Sequence, residues 1–312
     1  KWGLWDDNAD SDNDGVTNGV EVSNGASPFL TDSDNDGHDD YMEIIVFGTA
    51  ANDAADIPSK RTDLSDTVDA LIGEASGFDS IESNLKLWLD GTSVDGTRNV
   101  TLSDADSVGE WVDLSGNGNH AVEGTVANQP VIDKDNNVIT FDSSNNTPLQ
   151  SPLNIDSTVM DQVTVITVFS ADSGVAGGVW GQENGGWDRW LYLNASDRTG
   201  LSKGSKIQDV SSLKNKIGTG LLIVESYYDE DGPGQSHLYL DGSLESTFGA
   251  NNDSGATTLS IGSIVDSTSH VFDGDIAEMI VIDRKLTDDE RIKFNYYLAK
   301  KDRKSTRLNS SH

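Results

Sequence analysis

The sequence predicts a mostly β chain: an antiparallel jelly-roll sandwich with one C-terminal helix, preceded by a small loop-rich region with short helices. Three observations predict it. From about Leu85 onward, short apolar segments of period two recur between clusters of Gly, Asn, Asp and Ser, the pattern of an all-β sandwich or jelly roll. Asp241-Gly242 lies between LYL and SLE, a two-residue hairpin signal. Near the start, one acidic 12-residue pattern is written twice, DSDNDGVTNGVE from Asp10 and DSDNDGHDDYME from Asp32.

Each acidic stretch matches D-x-[DN]-x-[DN]-G-x5-E without a gap. Calcium takes six to eight oxygen ligands, and such a loop supplies them from fixed positions. Side-chain oxygens come from Asp10, Asp12 and Asp14 in the first loop and Asp32, Asp34 and Asp36 in the second. Gly15 and Gly37 make the sharp turn. Val16 and His38 offer backbone carbonyls. Asn18 and Asp40 hold the ninth position, and Glu21 and Glu43 the bidentate twelfth. Carboxylates crowded this closely repel one another unless a cation neutralises them. The expected cofactor is Ca2+.

The flanks decide the module. Trp5–Ala9 and Asn24–Thr31 are too short and too polar for helix–loop–helix hands. With Asp32 following Asp10 by 22 residues, the exit of one loop nearly becomes the entry of the next. These residues resemble the bacterial thrombospondin type-3 repeat, and dockerin-like repeats, over residues 6–58 with an exit at Gly48–Pro58. Animal repeats of that family carry cysteines. This chain has none, which leaves metal as the staple.

The sandwich strands are expected at Leu85–Leu89, Gly109–Asp113, Val138–Phe141, Val163–Phe169, Trp190–Leu193, Leu221–Tyr227, His237–Leu240, Thr258–Ile261 and Ile276–Ile282. IAEMIVI reads as a strand buried on both faces. Thr287-Asp-Asp-Glu290 is a capping box with an acidic first turn, so a helix follows it, with Ile292, Tyr296 and Ala299 on one face. Short helices around Ser65–Ile72 and Asp79–Asn84 fill a linker over residues 59–84. LKLWLDG (Leu85–Gly91), WVDLSGNGNHA (Trp111–Ala121), ITFD (Ile139–Asp142), HLYLDGSL (His237–Leu244) and the run Phe272–Lys301 resemble the laminin-G-like, concanavalin A-like jelly roll over residues 85–301. That resemblance implies a fold and no single ligand.

Composition bounds the partners. The formal net charge is −32, which repels phosphate backbones and anionic membranes. Nucleic acid and membrane insertion are therefore not expected, and no apolar run reaches 18 residues. No signal peptide is visible in this sequence. Loops of this type work at the millimolar calcium found outside cells, so an extracellular or cell-surface bacterial location is expected, with the chain a monomeric module of a longer protein. Residues 302–312, DRKSTRLNSSH, resemble the translation of a common sequencing adapter, suggest environmental DNA, and are set apart from the fold.

Glycosidases on such a fold pair carboxylates on one strand. The nearest match is Asp273-Gly-Asp275-Ile-Ala-Glu278, where alternation places Glu278 on the face opposite the two aspartates. No catalytic residues are assigned, and a non-enzyme is expected. The densest aromatic stretch is WGQENGGWDRWLYLN, Trp180–Asn194. One reading makes it a glycan platform built on Trp180, Asn184, Trp187 and Arg189, since sugars stack on aromatic faces between polar clamps. The other has Trp190 and Tyr192 filling the core. The expected partner is a glycan or a surface protein. Ser115–Asn119 with Asp113 reads as a hairpin turn or as an additional calcium site.

Overall fold

The computed structural model describes residues 9–12, 14, 16–35, 40–41, 43–44, 50–54, 81–144, 148–183, 188–204, 206–230, 235–249, 257–265, 270–288, 290–291, 294–295, 297–299 and 301. The chain divides into two compact units, Lys1–Glu82 and Ser83–His312. The expected helix at Ser65–Ile72, Ile292 and Tyr296 of the last helix, and the tail 302–312 lie outside the described residues.

The second unit is mostly β, with two antiparallel eight-stranded sheets and few helices. The first sheet contains β1 (Leu85–Asp90), β4 (Val131–Asp133), β5 (Val138–Phe141), β7 (Gln162–Ala171), β12 (Leu222–Asp229), β13 (Ser236–Leu240), β14 (Ser243–Phe248) and β16 (Gly274–Ile282). Its order is β14-β13-β12-β7-β16-β5-β4, with β1 pairing the second half of β16. The second sheet contains β2 (Glu110–Trp111), β3 (Ala121–Val122), β6 (Leu149–Ser151), β8 (Ala176–Gln182), β9 (Arg189–Asn194), β10 (Gly200–Ser202), β11 (Ile207–Asp209) and β15 (Leu259–Ile261). Its order is β11-β10-β9-β8-β15-β6-β3-β2.

One core lies between the sheets. Val163, Val165, Phe169, Val224, Met279 and Val281 come from the first sheet, and Trp180, Leu191, Leu193, Leu201, Leu259 and Ile261 from the second. Period-two alternation puts the odd residues of β7 and β9 inward. β16 lies inside the sheet between β7 and β5, and from Ile276 to Ile282 it is buried on both faces, Glu278 included. On its outer face Glu278 pairs with Lys301. Leu286, Phe294, Tyr297 and Leu298 are buried with Trp88, Ile166, Ile223 and Ile280.

The local signals have direct counterparts. Asp241 and Gly242 adopt φ of 50° and 82°, the two left-handed residues that a tight hairpin of this twist needs. In the capping box, Thr287 N–H donates to Glu290 Oε2 at 2.7 Å and Glu290 N–H donates to Thr287 Oγ1 at 3.3 Å. Gly116 and Gly118 have φ of 81° and 74°. Asp113 accepts from Trp88 N, Ser115 N, Ser115 Oγ and Asn119 N, so its oxygens hold that turn together.

Candidate functional site

The first unit carries the acidic loops. Oxygens of Asp10, Asp12 and Asp14 lie within 4.8 Å of one another. Asp14 Oδ1 accepts from Val16 N at 2.7 Å, and Asp12 Oδ1 from Asp14 N at 3.3 Å. These turns curl the backbone so that the carboxylates converge. The helix Asn18–Asn24 follows and ends at Gly25, whose φ of 81° lets the chain turn back. Its first turn carries Glu21 to the same place. Glu21 is fully buried, and neither of its carboxylate oxygens has a hydrogen-bond partner. Burial, then Asp12, Asp14, Asp40 and Asp10, push its carboxyl up to about 7. A buried carboxylate without a donor is costly, and a hard cation among these oxygens removes that cost. The donor set therefore fits Ca2+.

The second loop repeats the first at the level of single hydrogen bonds. Asn18 N–H donates to Ala9 O at 2.8 Å, and Asp40 N–H to Thr31 O at 2.9 Å. Ser11 N–H donates to Asn18 Oδ1 at 3.1 Å, and Ser33 N–H to Asp40 Oδ1 at 2.7 Å. The ninth residue of each loop thus closes the loop onto its second residue. Ser33 Oγ adds a bond to Asp40 Oδ2 at 2.6 Å. Asp40 and Glu43 are fully buried. Asp32 Oδ1 accepts from Asn35 N at 2.7 Å. Asp34 is described; Asp36 and His38 lie outside the described residues.

In the second unit the expected glycan platform is not assembled as the sequence suggested. Trp180 is fully buried in the core, edge-on to Tyr228 with centroids 6.4 Å apart. Arg189 is also buried. Its Nη1 donates to Ile155 O and Met160 O, its Nη2 to Asp161 O, and its Nε pairs with Glu230 at 3.2 Å. Both side chains are structural: one fills volume, the other pins the segment before β7. Asn184 and Trp187 lie outside the described residues.

The core-filling reading is reversed as well. Leu191 and Leu193 point into the core, which turns Trp190 and Tyr192 to the outer face of β9. There they border a cavity of about 380 Å3 with Glu183, Ile207, Ile264, Val265 and His270. The signal that could have found this was the strict alternation Trp-Leu-Tyr-Leu, which separates an aromatic face from an aliphatic one.

The three acids of the Asp273–Glu278 stretch hold other parts of the fold. Asp273 accepts from Ser143 N and Oγ, and Asp275 from Thr140 Oγ1 and Ser170 Oγ. Glu278 is fully buried, accepts from Trp88 Nε1 at 2.6 Å, and pairs with Lys301.

No protein-family model matches the chain, and no curated protein matches it. Solved structures that resemble it include a Trypanosoma rangeli sialidase in complex with sialic acid, at TM-score 0.41 and 14% identity, covering 69% of this chain and 33% of that one. They also include the binding domain of botulinum neurotoxin DC in complex with SialylT, at TM-score 0.42 and 14% identity, covering 70% and 51%. The same toxin domain in complex with rat synaptotagmin II gives TM-score 0.44 and 15% identity, covering 69% and 52%. The chain thus spans between a third and about half of these proteins, and at such TM-scores no functional residue is carried over. Among the described residues, no helix is long and apolar enough to cross a membrane.

Proposed function

We propose that this chain is a calcium-stiffened spacer joined to a non-catalytic jelly-roll binding module, of laminin-G-like or concanavalin A-like type, in a secreted or cell-surface bacterial protein. The observation that carries the reading is Glu21, buried without a hydrogen-bond donor beside Asp10, Asp12 and Asp14. Calcium would be held by Asp10, Asp12, Asp14, the Val16 carbonyl, Asn18 and Glu21. The second ion would take Asp32, Asp34, Asp36, the His38 carbonyl, Asp40 and Glu43. The ion supplies positive charge and cross-links a segment that has no cysteine and, among the described residues, only short helices. The chain's residues supply the converging carboxylates and the backbone turns that aim them.

The binding half of the reading rests on the resemblance of the strand motifs, with a carbohydrate as the ligand class. The non-catalytic half is supported by Glu278, which is engaged by Trp88 and Lys301 beneath the C-terminal helix. A protein-contacting adhesin segment is the second reading, and the burial of Trp180 and Arg189 favours it. Calorimetric titration of the whole chain should find two calcium ions, and Glu21→Gln should remove one. Fewer than two ions overturns the metal half. Binding on a glycan array, lost in Trp187→Ala, supports the carbohydrate ligand. Binding to no glycan removes it in favour of the adhesin reading, and release of reducing sugar from any polysaccharide ends the non-catalytic one.

A further inference from the structure

The cavity on the outer face of the second sheet is built with some care. The segment after β15 crosses β8 at very close range. Gly262 N–H donates to Val179 O and Gly178 N–H donates to His270 O, both at 2.8 Å. A Cβ on Gly178 would lie 2.2 Å from Ile264 Cγ2, and one on Gly181 would lie 2.6 Å from Ile264 Cα. Only glycines let this crossing segment settle there. It brings Ile264, Val265 and His270 opposite Trp190 and Tyr192, and His270 holds a left-handed φ of 60°.

Three rings border the space. Trp190 and Tyr192 have centroids 6.0 Å apart at 79°, and Tyr192 and His270 5.7 Å apart at 71°. Each ring is turned nearly perpendicular to the next, and all three line the same cavity, Trp190 with only 3% of its surface exposed. Glu183 completes it, fixed by the Trp190 indole N–H, which donates to its Oε2 at 2.9 Å. The rest of the wall is hydrocarbon from Ile207, Ile264 and Val265. None of the described lining residues is Lys or Arg.

We propose that this aromatic-lined cavity binds an organic ammonium cation whose charge is spread over methyl groups, of the choline type. An anion would meet Glu183 and a chain of net charge −32. A saccharide brings a hydroxyl on nearly every carbon, each needing a partner, and this wall offers few polar groups. An alkylated ammonium needs no hydrogen-bond donors, prefers the faces of Trp and Tyr, and is neutralised by one carboxylate. This assignment goes beyond the glycan reading and does not depend on it.

The test is saturation-transfer NMR on the whole chain, with calcium at saturation so that the acidic loops do not compete. Choline chloride is compared with its uncharged carbon isostere, 3,3-dimethylbutan-1-ol. Choline should bind saturably at least about tenfold more tightly than the isostere, the size of a desolvated cation–π contribution. Tyr192→Ala should abolish the signal. Glu183→Gln keeps an acceptor for the Trp190 indole and removes only charge, so it should weaken choline about tenfold and leave the isostere unchanged. If Tyr192→Ala does not fold, Glu183→Gln carries the test alone. Equal binding of the isostere, choline binding indifferent to Glu183→Gln, or no saturable choline signal would each overturn the assignment.

Discussion

Lys301 holds two buried acids at once. Its Nζ lies 2.8 Å from Asp90 Oδ1 and pairs with Glu278, and both carboxylates are almost fully buried. Removing one partner of a buried ion pair leaves the other charges stranded. Lys301→Ala should therefore lower unfolding free energy by about 3 kcal/mol, measured by urea denaturation at pH 7. Lys301→Met with Glu278→Gln should recover part of that loss, because no ionised Glu278 is then left behind. Equal stability of Lys301→Ala and the parent would mean that water reaches the acids. Strict alternation places Glu278 on the face opposite Asp273 and Asp275, but the register shifts between Ile276 and Glu278, and with Ile276, Met279 and Val281 turned to the core, Glu278 shares the outer face with Asp275. Its partners were not legible, because Lys301 reaches it only after the chain has turned through a whole helix.

Elements that carry their own signal were readable, and elements made by neighbours were not. The nine strands expected from alternation all have a counterpart, from β1 to β16. The missed ones are the short β3, β4, β6, β10 and β11, together with β8, while β14 was implied only by the hairpin signal at Asp241-Gly242. At two or three residues, the short strands have no period to detect. β8 reads AGGVWGQ, and its glycines suggest a loop until one sees what crosses them. Gly181→Ala would put a methyl 2.6 Å from Ile264 Cα and 2.7 Å from Trp190 Cβ. Overpacking of this kind should cost about 2 kcal/mol and displace the crossing segment, visible as changed chemical shifts at Ile264 and His270. The last helix offers a second prediction. Burial pushes the Glu290 carboxyl up, but the Arg284 guanidinium and the Thr287 N–H and hydroxyl outweigh it, and the net shift is downward from 4.5. A depressed acid stabilises the fold above its unfolded pKa and loses that contribution as pH falls through the folded value. Glu290→Gln should thus cost about 2 kcal/mol at pH 7, and the gap to the parent should close below pH 4.5. A constant gap across that range would assign the effect to packing instead.

At the scale of the molecule, the described residues of the two units bury different kinds of group. The second has a continuous core between two sheets. In the described part of the first, the buried groups include Asp14, Glu21, Asp40 and Glu43 beside few apolar residues, among them Val16, Ala26 and Ala51. Hydrophobic burial is small there, so its folding should depend on whatever neutralises the acids. A ligand bound only by the folded state adds RT ln(1 + [L]/Kd), about 2.7 kcal/mol at one hundred times Kd. Unfolding of the whole chain should then be two separate transitions, not a single cooperative one. Amide exchange reads them apart. With millimolar calcium, the Asn18 and Asp40 N–H groups, bonded to Ala9 and Thr31, should be protected. Chelator should expose them while the amides of β7 and β16 stay unchanged. Sodium chloride at matched ionic strength should not restore protection, because screening weakens repulsion among the carboxylates without supplying oxygen coordination. Protection of Asn18 and Asp40 that survives chelation would mean that hydrogen bonds and helix capping alone hold this unit, and the calcium reading would fail with it.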